Sequence, residues 1–189
     1  MAGKQVGLIR GINVGKAKRV SMGDLRAMFE RLGYRDVRTL LNSGNVVFNA
    51  PSGSPAAAAA HIEDAMAKDL GVFARVTVIT AAELAAAVAE NPLLKIADNP
   101  SRLLVAVLRT AADVSKVKPL LKQDWGAEAL AIGKRVAFLW CPDGILASAL
   151  SNAVGRALGD GVTARNWATM LKLQAMAAGE PAAQSRDQV

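Results

Sequence analysis

A run of ten residues near the start of the chain combines glycine, amide and positive charge: Arg10-Gly11-Ile12-Asn13-Val14-Gly15-Lys16-Ala17-Lys18-Arg19. Arg10 carries a planar guanidinium that can bind a carboxylate or a phosphate through two hydrogen bonds. Asn13 could add a further donor, or it could bond its own turn, which is the commoner use of a loop asparagine. The glycine spacing matches neither a Walker phosphate-binding loop nor a dinucleotide fingerprint. The composition therefore predicts an anion-binding loop without naming the anion.

Two further polar clusters could complete a site with this loop. The segment Asn42-Ser43-Gly44-Asn45 has the composition of a hairpin turn, and it also crowds two amides and a hydroxyl together. Asn166 has the spacing of a helix N-cap, whereas Arg165 just before a helix start is electrostatically unfavourable unless an anion lies nearby. We therefore expect ligand-binding residues in all three places: Arg10, Gly11, Asn13, Gly15, Lys16, Lys18, Ser43, Gly44, Asn45, Arg165 and Asn166.

The residue types that usually support catalysis are sparse. His61 is the only histidine and lies in an alanine-rich segment, and Cys141 is the only cysteine. One cysteine excludes an internal disulfide and a multi-cysteine metal site. No Ser-His-Asp set, metal-ligand cluster or acid–base pair can be assembled. No metal is therefore expected, the cofactor and the catalytic residues are unknown, and whether the chain is an enzyme stays open.

Composition and charge limit the classes of protein. The chain has 189 residues, of which 52% are hydrophobic and 21% charged, as is typical of a folded globular protein. Its net charge is +7, and residues 1–40 hold nine basic and three acidic side chains, so the first loop and helix carry nearly all of the excess. This charge could form a solvated face or a site for a phosphate, a carboxylate or a nucleic-acid backbone. The N-terminal apolar run is too short for a signal peptide or a membrane span, so we expect a cytoplasmic protein.

Hydrophobic periodicity and turn residues predict the elements that must position these side chains. In the first part we expect strands over 4–9, 36–41, 46–50 and 72–79, with helices over 21–33 and 56–70. Ser21 and Asp24 have the spacing of an N-cap and its N3 partner. A connecting helix over 81–89 follows. The order then returns, with strands over 103–108, 127–132, 135–140 and 161–164 and helices over 113–122, 146–159 and 166–178.

Each part therefore has the order β-α-β-β-α-β, which predicts an α+β fold of two tandem ferredoxin-like halves with antiparallel or mixed sheets and a C-terminal helix. The expected boundaries are a first half over 1–80, a connecting helix over 81–98, a second half with the final helix over 99–178, and a flexible tail over 179–189. In this topology the loop after the first strand and the next hairpin leave the sheet at the same edge. Arg10–Arg19 and Asn42–Asn45 should therefore be neighbours in space.

Three separated blocks of the sequence resemble one protein family. They are Arg10 to Gly15 with Met22 and Leu25, Asp36 to Thr39 with Ser43 to Phe48, and Thr163 to Trp167 with Thr169. In order and spacing they are similar to an uncharacterised bacterial family, domain of unknown function 1697 (DUF1697), over nearly the whole chain. The resemblance implies a two-part α+β protein and no particular activity. Lys16 stands where the family usually has a second glycine, and Ala149 stands where it often has a lysine, whose charge Lys16 or Lys18 could replace.

The leading hypothesis is a binding protein for a small anionic ligand, such as a phosphate, a nucleotide or a carboxylate, held where the loop meets the turn. Nucleic-acid backbone binding through the basic N-terminal part is the alternative, although Phe48 is the only aromatic residue that the first and third strands offer for base stacking. An enzyme of unrecognised type and a structural or interaction protein are the other hypotheses, the last supported by Trp125, Trp140 and Trp167. No membrane partner is expected, and the oligomeric state is unknown.

Overall fold

Two sheets and six helices make up the part of the chain that the structure describes. A computed structural model describes residues 3–15 and 18–179, so Lys16 and the predicted tail beyond residue 179 lie outside the described residues. The strands are β1 (Gly3–Ile9), β2 (Arg35–Leu40), β3 (Asn45–Ala50), β4 (Val76–Thr80), β5 (Leu103–Leu108), β6 (Ala129–Ile132), β7 (Val136–Trp140) and β8 (Val162–Asn166). The helices are α1 (Met22–Arg31), α2 (Pro55–Leu70), α3 (Ala81–Ala89), α4 (Val114–Val117), α5 (Ala149–Leu158) and α6 (Trp167–Ala178).

Neighbouring strands in both sheets are antiparallel. The first sheet has the order β2-β3-β1-β4, and the second has the order β6-β7-β5-β8. The chain is thus a mixed α+β protein with two four-stranded antiparallel sheets. Strand β1 lies between β3 and β4, and β5 lies between β7 and β8. The loop that follows each of these central strands therefore starts between the segments that lead into the two flanking strands. This position brings the basic loop beside the β2–β3 turn on one side and the segment before β4 on the other.

Three hydrophobic clusters hold the layers together. One face of the first sheet packs against α1 and α2 around Phe29 and Phe48, and one face of the second sheet packs against α4 and α5 around Leu150. The remaining faces share a third cluster with α3 and α6, in which Val6 and Val105 are fully buried. Burial of one such aliphatic side chain contributes about 2 kcal/mol. The two halves are therefore joined through a common core.

Capping residues explain where two helices begin. Ser21 caps α1 by accepting from the Asp24 N–H at 3.0 Å, as the sequence spacing predicts. Thr80 caps α3, and Glu83 completes a capping box by accepting from the Thr80 N–H at 2.8 Å. Both helices therefore start at positions that local sequence determines.

The predicted strand over 72–79 is wrong in its first half. The strand β4 begins at Val76, because its ladder partner β1 ends at Ile9, which lies opposite Val76. Residues 72–75 form a connection instead, after the left-handed Gly71 that ends α2. Phe73 therefore leaves the sheet pattern and is 78% exposed.

The helices predicted over 113–122 and 146–159 are also shorter than expected. Pro119 has no N–H to donate, and the chain around it forms only the four-residue helix α4 between two 3₁₀ turns, Ala111–Asp113 and Lys118–Lys122. Helix α5 begins at Ala149 because Ser148 caps it by accepting from the Ser151 N–H. Leu146 precedes this cap and is fully exposed.

Arg135 fixes the start of α3 to the second half. Its Nη1 donates to Glu83 Oε1 at 2.9 Å, and its Nη2 donates to the Val78 carbonyl oxygen at 3.2 Å. Burial raises the pKa of the Glu83 carboxyl, but hydrogen bonds from the Thr80 N–H and from Arg135 outweigh burial and hold that pKa below its ordinary value. Glu83 therefore stabilises the fold when it is ionised.

Replacing Glu83 with Gln should weaken the dependence of stability on acid pH. A carboxylate whose pKa is lower in the folded state stabilises the protein above its unfolded pKa, and this contribution is lost as pH falls through the folded pKa. We expect the free energy of unfolding of the wild type to drop between about pH 5 and about pH 3, and to drop less for Glu83→Gln. Urea denaturation across this range measures the difference. Glu30→Gln, at an exposed position of α1, is the matched control, and an equal slope for Glu83→Gln and the wild type would contradict this role.

Candidate functional site

The first loop is folded around Asn13. The backbone is left-handed there, with φ of 57°, and φ at Gly11 and Gly15 is 68° and 63°. The Asn13 side chain donates to the carbonyl oxygens of Val20 and Asn42 at 2.8 Å each and accepts from the Val20 N–H at 2.9 Å. The structure thus brings the loop against the β2–β3 turn, and it gives Asn13 the backbone role that the sequence left open.

The turn between β2 and β3 packs closely against the start of the loop. Gly44 has φ of 78°, its carbonyl oxygen accepts from the Ile9 N–H at 2.8 Å, and a Cβ there would lie 2.8 Å from the Ile9 Cβ. Asn45 is fully buried, and its Nδ2 donates to the Leu40 carbonyl oxygen at 3.0 Å and to Ser43 Oγ at 2.9 Å. The side chains of Ser43 and Asn45 are therefore bonded to each other within the protein.

Arg165 ties β8 to the end of β1 and to the β2–β3 turn. Its donors reach five oxygen atoms: Asn45 Oδ1 at 2.5 Å, the carbonyl oxygens of Ile9, Ala164 and Ser43 at 2.8, 2.8 and 3.1 Å, and Thr163 Oγ1 at 3.0 Å. Burial lowers the pKa of Arg165 to about 10, so the guanidinium keeps its charge at neutral pH. Neutral oxygen atoms accept hydrogen bonds from this guanidinium. They therefore compensate, without an anion, for the unfavourable position of a positive charge just before the start of α6.

Asn166 is the N-cap of α6. Its Oδ1 accepts from the Thr169 N–H at 3.0 Å and from Thr169 Oγ1 at 2.7 Å. The structure therefore gives this predicted site residue a capping role, as the spacing to Thr169 indicates.

Arg10 reaches the connection that precedes β8. Its Nη1 donates to the Gly159 carbonyl oxygen at 2.5 Å and to the Val162 carbonyl oxygen at 3.3 Å, and it lies 3.4 Å from Asp160 Oδ1. The side chains of Arg10 and Asp160 are 41% and 79% exposed. An ion pair with this exposure contributes no more than about 1 kcal/mol. Asp160 can therefore give way to another anion at little cost.

Arg109 holds the corresponding position in the second half. Arg10 follows β1 and Arg109 follows β5, and Arg109 Nη1 donates to Glu63 Oε1 at 3.1 Å. Glu63 also accepts from the Val76 N–H at 2.9 Å and from Arg75 Nη1 at 3.3 Å. Arg10 thus contacts the second half beside the edge strand β8, and Arg109 contacts the first half beside the edge strand β4.

An open cleft of about 450 Å³ lies beside Arg10. Residues of both halves line it: Arg10, Gly11, Lys18, Glu63, Phe73, Ala74, Arg75 and Asp160. Three of these residues are cations, two are carboxylates, and one is the exposed Phe73. Within residues 3–15 and 18–179, Lys18 forms no ion pair. The cleft therefore combines an excess of positive charge with one aromatic ring.

Cys141 lies elsewhere, in the cluster between the second sheet and α5. It is fully buried, its Sγ lies 3.3 Å from Ser148 Oγ, and burial raises the pKa of its thiol. These surroundings disfavour the thiolate. Among the residues that the structure describes, no group of three or more His, Cys, Asp and Glu side chains could hold a metal ion.

Comparison with protein families decides the relationship of this chain. Residues 3–138 match the family described as "Protein of unknown function (DUF1697)". The chain belongs to the DUF1697 family. The matched residues include the loop, the turn and the strands β1 to β6, so the resemblance inferred from the sequence is confirmed. The block around Arg165 lies beyond the matched residues.

This DUF1697 chain also has the fold of a solved structure, that of the conserved bacterial protein SP0830 from Streptococcus pneumoniae. The two structures have a TM-score of 0.78 and 23% sequence identity, and the similarity covers 94% of this chain and 99% of SP0830. Comparison with curated proteins gives no match. In the described residues of the DUF1697 chain, no helix is long and apolar enough to cross a membrane. The comparisons thus support the family and the α+β fold.

Five residues of the cleft in this DUF1697 chain were not expected from the sequence: Glu63, Phe73, Ala74, Arg75 and Asp160. The apolar alternation over 72–79 predicts a strand with Phe73 in its pattern, whereas the residue lies in a connection and is exposed. Glu63 lies on a predicted helix with nothing to mark its contact with Arg109. The one local signal is Gly71, because a helix-ending glycine two residues before an aromatic leaves room for a loop.

Proposed function

We propose that the cleft beside Arg10 binds a small anionic ligand, such as a phosphate-bearing or carboxylate metabolite. The observation that carries this proposal is the convergence of Arg10, Lys18 and Arg75 on one open cleft. Guanidinium groups bind phosphate and carboxylate oxygens through two charge-assisted hydrogen bonds, and an ammonium adds a third contact. A volume of about 450 Å³ is within the range of small-molecule sites.

The loop supplies backbone as well as charge in this proposal. Gly11 lines the cleft in a left-handed conformation, and a Cβ at this position would meet no atom within 4 Å. A glycine here allows a ligand to approach the main chain closely. The ligand would displace Asp160 from Arg10, whereas Glu63 keeps its bond from Arg109 when Arg75 turns toward the ligand.

The other predicted ligand residues shape the site without lining the cleft. Asn13, Ser43, Asn45, Arg165 and Asn166 use their side chains in hydrogen bonds within the protein. We infer that Asn13, together with Arg165 and the turn residues, holds the loop at the edge of the first sheet. Arg10 and Gly11 then face the cleft, whereas Asn166 caps α6. Gly15 serves the same loop through its left-handed backbone.

Nucleic-acid backbone binding has weaker support. Two of the basic residues before position 41 are engaged elsewhere: Arg31 donates to Asp69, and Arg38 donates to the Met176 carbonyl oxygen. These contacts reduce the number of basic side chains that could follow an extended phosphate backbone. The cleft therefore favours a compact anion over a polymer.

We also propose that each half is a ferredoxin-like unit, with boundaries near 1–80 and 99–178. The element order β-α-β-β-α-β and the strand order β4-β1-β3-β2 support this classification for the first half, and the second half repeats both. The shared core with α3 and α6 indicates that the two units fold together.

Equilibrium binding of pyrophosphate, measured by isothermal titration calorimetry, tests the proposed function. We expect saturable binding by the wild type and an affinity about tenfold lower for Lys18→Met and for Arg75→Met, which corresponds to about 1.4 kcal/mol for each lost contact. The matched control is Lys122→Met, an exposed lysine on the second half, whose affinity should equal that of the wild type. Absence of binding, or equal losses in all three variants, would refute the proposal.

A further inference from the structure

Phe73 is an unusual residue for the wall of a charged cleft. Its side chain is 78% exposed, although most large apolar side chains of this chain are buried. It lies two residues from Arg75, and both residues line the same cleft as Arg10 and Lys18. An exposed phenyl ring keeps apolar surface in water, and a ligand with its own ring can cover that surface.

The charged residues around Phe73 favour some kinds of binding partner over others. An apolar protein partner would have to bury the neighbouring charges of Arg75, Glu63 and Lys18, which is costly without matched partners. A flat heteroaromatic ring joined to a phosphate meets both parts of the cleft: the ring stacks on Phe73, and the phosphate binds the cations. Stacking of a base on an aromatic side chain contributes about 1–3 kcal/mol and tolerates any base.

We propose that the ligand of the cleft is a nucleotide whose base stacks on Phe73 while its phosphate binds Arg10, Lys18 and Arg75. This inference rests on the proposed function and narrows it from anions in general to nucleotides. Recognition of the base comes from the phenyl face, so purine and pyrimidine nucleotides should bind with similar affinity. The structure assigns the charged wall to the phosphate and the Phe73 wall to the base.

The test compares AMP with ribose 5-phosphate, which carries the same phosphate without the base. We expect the wild type to bind AMP about tenfold more tightly, which corresponds to about 1.4 kcal/mol. Phe73→Leu should abolish this preference and leave ribose 5-phosphate binding unchanged, whereas Phe73→Trp should keep it. Arg75→Met should weaken both ligands equally. Because Phe73 is exposed, these variants are expected to fold, and Leu146→Ala at another exposed position is the matched control.

The outcomes separate this inference from the proposed function. Equal affinity of the wild type for AMP and ribose 5-phosphate would overturn the nucleotide assignment and leave anion binding intact. Failure of both ligands and of pyrophosphate would overturn both. Much tighter, Phe73-dependent binding of a single-stranded oligonucleotide than of AMP would assign the cleft to a nucleic acid and would also overturn the inference.

Discussion

Replacing Arg165 with Met is expected to lower the free energy of unfolding by about 3–4 kcal/mol, because it removes a charged donor from several half-buried acceptors at once. Arg165 donates to oxygen atoms at the end of β1, in the β2–β3 turn and in β8 itself, and Asn45 Oδ1 would lose its donor inside the core. The methionine side chain fills much of the volume of the arginine side chain but has no hydrogen-bond donor. Urea denaturation of the two proteins measures the difference.

A matched pair of variants separates this effect from a general effect of charge removal. Arg156→Met, on the exposed face of α5, should change stability by less than about 0.5 kcal/mol. Arg165→Lys keeps the charge but loses the planar fork, and should fall between the wild type and Arg165→Met. A loss below about 1 kcal/mol for Arg165→Met would show that the bonds across the halves are not stabilising.

Replacing Gly44 with Ala is expected to cost about 3 kcal/mol, from a left-handed backbone and a steric overlap acting together. The φ of 78° is unfavourable for a residue with a Cβ, and that Cβ would lie 2.8 Å from the Ile9 Cβ and 3.0 Å from Ile12 Cδ1. Ile9 and Ile12 are buried and cannot move aside freely. Thermal and urea denaturation both report the loss.

Gly53→Ala isolates the backbone part of this effect. Gly53 has φ of 96°, and a Cβ there would meet no atom within 4 Å. We expect a cost of about 1 kcal/mol for this variant, so that the difference between the two variants measures the overlap with the core. Equal costs for the two variants would contradict close packing of the turn against Ile9 and Ile12.

Local patterns predict much of this fold because their partners are near in the chain. The capping residues Ser21 and Asn166 each accept a hydrogen bond from an N–H group only three residues further along the chain. The order of the strands predicts that the loop and the turn lie side by side. The hydrogen bond from the Asn13 side chain to the Asn42 carbonyl oxygen joins them. These features depend on elements that periodicity and turn residues already identify.

Contacts across the halves could not be predicted in the same way. Arg165 and Asn45 are 120 positions apart, and Arg109 and Glu63 are 46 positions apart. Sequence spacing carries no information about such pairs. It therefore suggested Arg165 as a ligand residue and left Glu63 unnoticed, whereas the structure shows both within hydrogen-bond networks between the halves.

Phe73 illustrates a different limit. Apolar alternation predicts a strand through this residue, yet a strand needs a partner, and β1 ends opposite Val76. Phe73 lies in the cleft because β1 is too short to pair with residue 73. The sequence around residue 73 carries no information about where β1 ends. The candidate site is therefore partly predictable in its cationic loop and unpredictable in its aromatic wall.

Amide chemical-shift mapping during a titration with pyrophosphate tests anion binding in the cleft most directly, because it locates the ligand. We predict saturable shifts at the amides of Gly11, Lys18, Ala74 and Arg75, with one common affinity that falls in Arg75→Met. The amides of α4, on the far side of the second sheet, should stay unchanged. Shifts that do not saturate, or that concentrate outside the cleft, would contradict the proposed anion site.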